Sequence, residues 1–133
     1  MVDDLGGDPA CWSHLFDDDE VAAGFVVDLN AARERAGSGV VWSAPPSDLN
    51  VNLVRLAAGE SIDEHRNDEV DVLVVILTGA GDIAIDDNVD RVTGQQLVLI
   101  PARTRRSIHA DKWGLTYLSV HRARGPLQIK RTT

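Results

Sequence analysis

The stretch GESIDEHRNDEVDVLVVILTGAG, residues 59–81, and the later stretch GQQLVLIPARTRR, residues 94–106, decide the architecture. Residues 70–78 are rich in β-branched side chains and too apolar to lie on a surface, the signature of a buried strand. Gly79-Ala80-Gly81 is read as breaking it. Residues 82–86 alternate cleanly, Asp87-Asn88 is read as a tight hairpin turn, and Arg91-Val92-Thr93 returns. Residues 97–100 form a strand stopped by Pro101. Residues 106–110 and 115–122 read as two further strands, and 127–129 as a last one. Upstream, Leu49, Val51, Leu53 and Arg55 alternate with Asn50, Asn52, Val54 and Leu56, and Ala57-Ala58-Gly59 turns the chain. Short strands at close spacing with Gly and Pro turns predict an all-β sandwich or barrel.

The N-terminal part is mixed. Residues 1–9 are Gly- and Asp-rich, and Cys11, Trp12, Leu15 and Phe16 form an apolar cluster read as one helical turn docking on the barrel. Residues 25–29 read as a short strand, Asn30 as the cap of a brief helix over 31–36 ended by Gly37, and 40–42 as a strand stopped by Pro45-Pro46. The expected organisation is an acidic segment at 1–20 and a single barrel domain over 21–133.

With 133 residues, 44% hydrophobic and 26% charged, the chain is long enough to bury a core without staples. Its longest apolar run, 72–77, is far short of the ~20 residues of a membrane span, so no membrane partner is expected. The first thirty residues hold no Lys or Arg, hence no signal-peptide leader, and a cytoplasmic protein is expected. The single cysteine, Cys11, excludes an intramolecular disulfide and a thiolate cluster within one chain. The net charge of −8 is uneven: residues 1–30 carry seven Asp and one Glu with no base, while residues 101–133 carry eight bases against Asp111 alone. Overall acidity and the lack of aromatic residues among the arginines argue against nucleic acid as a partner.

Gly59 is followed by five residues and His65, and the apolar strand then runs into Gly79-Ala80-Gly81. Gly94 precedes Leu97-Val98-Leu99-Ile100-Pro101, with the hairpin pair lying between the two motifs. In order and spacing, residues 49–121 resemble a small single-domain cupin. The resemblance implies a double-stranded β-helix, or jelly-roll barrel, often dimeric, with any metal held inside on three His and one Glu. Carried over residue by residue, the first His is His65, the second falls on Asn67, the Glu falls on Asp71 or Val72, and the last His falls on Arg106. The Gly of the family's Pro-x-Gly turn is Arg103. Arginine stays protonated and does not ligate metals. It would also repel a cation, by about 4 kcal/mol for unit charges 4 Å apart at an effective dielectric of 20.

The candidate ligand-binding residues are therefore His65, Asn67, Glu69, Arg106, Tyr117 and His121. Glu69 joins them because positions 65, 67, 69 and 71 share a face if the chain stays extended, and Arg106 is the natural partner for Glu69 or Asp71. Tyr117, Ser119 and His121 share a strand face, with Tyr117 and His121 an acid/base candidate pair. His109 is expected on the opposite face from Arg106. Three functions are carried forward. The first is a cupin that binds a small polar or anionic molecule without the usual metal site or any cofactor. The second is a metal-dependent enzyme, a dioxygenase or isomerase, with a divalent transition metal on a rebuilt site of His65, Glu69 and His121. The third is a non-catalytic homodimeric interaction protein.

Overall fold

In a computed structural model, two long strands carry the architecture; the structure describes residues 24–35 and 37–123. In chain order the elements are α1 (Leu29–Arg33), β1 (Gly39–Ser43), β2 (Leu49–Leu56), β3 (Ser61–Arg66), β4 (Val72–Ile85), β5 (Asn88–Thr93), β6 (Leu97–Ile100) and β7 (Arg105–Arg122). β4 and β7 are antiparallel neighbours from Leu73↔Val120 to Ile85↔Arg106. The outer half of that ribbon is extended by β2 and β1 on one side and by β6 on the other. The other half is extended by β3 and β5. Both halves contribute to one core, with Val54, Val74, Ile76 and Tyr117 from the first and Ile83, Val92 and Ile108 from the second. The two sheets therefore face each other across a shared interior, as an all-β jelly roll does. Ile76 and Ile83 are fully buried, each stabilising the fold by about 2 kcal/mol.

Gly79-Ala80-Gly81 does not end a strand. β4 runs through it with register shifts at Ile76/Thr78 and Gly79/Gly81, and β7 runs unbroken through the 110–115 gap. The glycines let the ribbon bend from one sheet into the other. Gly79 and Gly114 both have positive φ, +86° and +77°, and a Cβ on Gly79 would overlap the Gly114 carbonyl. What reads as four strands is thus two bent ones.

Other expectations are corrected. Residues 25–29 are not a strand: 24–28 lack regular structure and Leu29 opens α1. The cap is Asp28 rather than Asn30, because the Asp28 carboxylate accepts from the backbone N–H of Asn30 (3.0 Å) and Ala31 (3.3 Å). The helix ends at Arg33, where Arg55 of β2 donates to the Arg33 and Arg35 carbonyls at 3.2 and 3.1 Å and pins it to the sheet. The hairpin turn is Asp86-Asp87, since Ile85 pairs with Asn88. Residues 97–100 form β6 as expected, and 40–42 lie within β1. β3 gave no alternation to read, because all of it except Ile62 is exposed. The 1–20 segment, the Cys11 cluster and the strand expected at 127–129 lie outside the described residues. Among the described residues no helix is long and apolar enough to cross a membrane.

Candidate functional site

β3 ends at Arg66, and the chain then turns instead of staying extended. Asn67 makes the turn: its side-chain oxygen accepts from the backbone N–H of Glu69 (2.8 Å) and Val70 (3.4 Å). Positions 67, 69 and 71 therefore do not continue the strand face of His65, contrary to the expectation from spacing. The loop is tied to the turn after β6 by two bonds, from Arg103 N–H to the Asn67 carbonyl (2.7 Å) and from Ala102 N–H to the Asp71 carboxylate (2.8 Å). Asp71 is thus engaged by backbone.

Loop and turn frame the mouth of a cavity of about 550 Å³ between the two sheets. All six candidate residues, His65, Asn67, Glu69, Arg106, Tyr117 and His121, border it. The rim is charged, with Arg66 and Asp68 in an ion pair at 2.6 Å. The deeper wall is apolar, formed by Val72, Val74, Ile100 and Ile108. The sequence reading places Val72 at the position of the family Glu but misses Val74, Ile100 and Ile108 as wall residues and the Arg66–Asp68 pair. The inward alternation of β4, at 72 and 74, carried the signal for half of the apolar wall.

Arg106 is only 4% exposed. Its Nε donates to the Thr104 carbonyl (3.1 Å), and its Nη2 donates to the Pro101 carbonyl (3.0 Å) and to Thr104 Oγ1 (3.3 Å). The guanidinium therefore braces the turn beneath the mouth while bordering the cavity. His65 stands opposite it in the β3·β7 register. His65 Nδ1 lies 3.0 Å from the Asp63 carbonyl, and His121 Nδ1 lies 2.8 Å from that of Arg122. A carbonyl only accepts, so in both rings Nδ1 carries hydrogen and the neutral ring keeps Nε2 as an acceptor. His109 lies outside the cavity, on the opposite strand face as expected, with Nδ1 at 2.5 Å from Ser61 Oγ.

Tyr117 is 3% exposed, and burial pushes its phenol well above the ordinary range, so the hydroxyl stays protonated. An acid/base role shared with His121 is not supported by a hydrogen bond between them.

No family model and no curated protein matches the sequence. Solved structures do match the fold. A cupin superfamily protein of Desulfitobacterium hafniense DCB-2 is 22% identical with a TM-score of 0.62, over 80% of this chain and 97% of that one. A cupin-2 domain containing protein of Shewanella frigidimarina NCIMB 400 is 16% identical with a TM-score of 0.59, over 74% and 95%. The protein folds as a cupin. A Bacillus halodurans protein is similar too, at 19% identity and a TM-score of 0.68, over 76% of this chain and 82% of that one.

The side chains of this cupin-like barrel do not fit the three-His, one-Glu metal set that the resemblance implies. His65 is in place, but Asn67 has its oxygen engaged in the turn, and its remaining NH₂ is a donor. Val72 packs into the core, Asp71 holds Ala102, and Arg106 brings a positive charge. Among the described residues no three His, Cys, Asp or Glu side chains form a group able to hold a metal, so His65, Glu69 and His121 border one cavity without converging as a rebuilt site.

Proposed function

We propose that this cupin binds a small anionic molecule in its barrel without a resident metal. The observation that carries the reading is Arg106, a buried cation in the cavity wall at a position where the family places a metal ligand. A volume of about 550 Å³ suits a metabolite-sized ligand. The apolar depth and charged rim suit an amphipathic acid whose anionic group stays near the mouth. The test is calorimetric titration of small carboxylates and inorganic phosphate into wild type and Arg106→Ala, with metal analysis of protein purified without chelators. Binding should weaken roughly tenfold or more in the variant, the scale of one charged hydrogen bond. A transition metal near one equivalent per chain, lost in His65→Ala, would overturn the reading in favour of the metal enzyme.

We also infer a homodimer formed through the outer face of the larger sheet. Two apolar rows cross it in register, Leu118–Val75–Leu97 and Val51–Val120–Leu73–Leu99. Leu97 and Leu99 are 60% and 56% exposed. The occupant is a second copy, because the charges of this chain are complementary between its ends: residues 1–30 are wholly acidic and residues 101–133 strongly basic.

A further inference from the structure

The deep end of the cavity holds a feature that anion binding does not use. On β7, His121, Ser119 and Tyr117 all border the cavity at successive inward steps. Their depth follows from the register. Ser119 stands opposite Val74 of β4, and Tyr117 opposite Ile76. His121 lies one step outside them, beside the mouth. Each step along a strand face is about 6.7 Å. Arg106, by contrast, is anchored to Pro101 and Thr104 in the turn at the mouth. Among the described residues no group hydrogen-bonds the Tyr117 or Ser119 hydroxyl. Tyr117 is buried and Ser119 half-buried; a buried hydroxyl left without a partner costs about 1–3 kcal/mol, and native proteins rarely leave one so. The β4 partners of these two positions, Val74 and Ile76, are apolar and offer the hydroxyls no hydrogen-bonding side chain.

We propose that the Tyr117 and Ser119 hydroxyls receive an uncharged oxygen, a hydroxyl or carbonyl, at the far end of the bound acid. The ligand class is thus an oxygenated aliphatic acid, its carboxylate at Arg106 and its neutral oxygen at the β7 hydroxyls. This rests on the anion reading above and extends it. Tyr117 donates in this arrangement, since its buried phenol does not ionise.

The probes are unbranched carboxylic acids of about four to eight carbons, each compared with its ω-hydroxy counterpart, lengths that a cavity of about 550 Å³ accommodates. Each is titrated into wild type, Tyr117→Phe and Ser119→Ala. In wild type the best hydroxy acid should bind at least roughly tenfold tighter than its parent, because a site with buried hydrogen-bonding groups rejects the analogue lacking the oxygen. Tyr117→Phe should remove that preference, so that each hydroxy acid binds no tighter than its parent, and Ser119→Ala should reduce it. If parent acids bind and the hydroxyl adds nothing, or if Tyr117→Phe keeps the preference, the proposal falls while the anion reading stands. If neither series binds wild type, both fall. Folding is read independently. Removing an unpartnered buried hydroxyl should leave the melting temperature of ligand-free Tyr117→Phe equal to or above wild type, and a clear drop would show that the hydroxyl has a protein partner and overturn the proposal.

Discussion

His65 and Arg106 stand directly opposite each other across the β3·β7 pair, at the mouth of the barrel. The first matches the histidine of the cupin motif, and the second stands where that motif places another histidine. Arg106 also holds the turn below it through Pro101 and Thr104. Arg106→Met, which keeps the apolar stem, should therefore destabilise the protein by about 2 kcal/mol in urea unfolding, because two backbone carbonyls lose charged donors. Arg106→Lys should recover little, since one ammonium cannot reproduce the planar fork. Equal stability of all three proteins would show that the guanidinium does not brace the turn.

Arg103 sits where the family turn has glycine, and its φ of +68° shows that the backbone keeps the glycine conformation. A side chain there costs about 1–2 kcal/mol, part of which is offset by the greater unfolded-state freedom of glycine. Arg103→Gly should raise the stability by about 0.5–1 kcal/mol in urea unfolding. A loss of stability would mean that the Arg103 side chain makes a contact that outweighs the strain.

The bend of the β4·β7 ribbon gives a matched pair of substitutions. Gly79→Ala places a methyl against the Gly114 carbonyl at a φ of +86°, and should cost roughly 3 kcal/mol or more. Gly59→Ala has a similar φ, +77°, with nothing within 4 Å. It should cost only about 1 kcal/mol. Thermal melts of the two variants distinguish close approach from φ strain alone.

Asp111 links β7 to Arg91 of β5. Burial works against its carboxylate, but the Trp113 N–H at 2.9 Å and the Arg91 guanidinium outweigh it and hold the carboxyl below its ordinary value. A depressed carboxyl pKa adds stability above the unfolded value, and that stability is lost as the pH falls through the folded one. Asp111→Asn should therefore melt below wild type at neutral pH, with the gap closing as the pH drops below 3.8. A gap that persists at acid pH would assign the loss to something other than charge.

Replacing Leu97 and Leu99 together by Asp should halve the solution mass seen by light scattering, with the barrel still folded by circular dichroism. Deleting residues 1–20 should weaken the same association. An unchanged mass in the double variant would exclude the outer sheet face as the contact.

The order of Gly59, His65, Gly79, Gly94 and Pro101, with alternating apolar residues between them, determined the barrel by itself, because strand period and turn chemistry are local properties. The motif resemblance supplied His65, Asn67 and Arg106 as candidates, and a spacing of two supplied the shared strand face of Tyr117, Ser119 and His121. Tertiary structure decided what those residues touch. Asn67 and Asp71 lost their place on a common face because the loop they sit in bonds to the 101–104 turn, more than thirty residues away. Arg106 found the carbonyls of its own turn, and Gly79 and Gly81 bent a strand instead of ending it, because each responds to a backbone that approaches from another part of the chain. Sequence spacing reports which side chains point the same way, and the packing of two sheets determines which groups meet across the space between them.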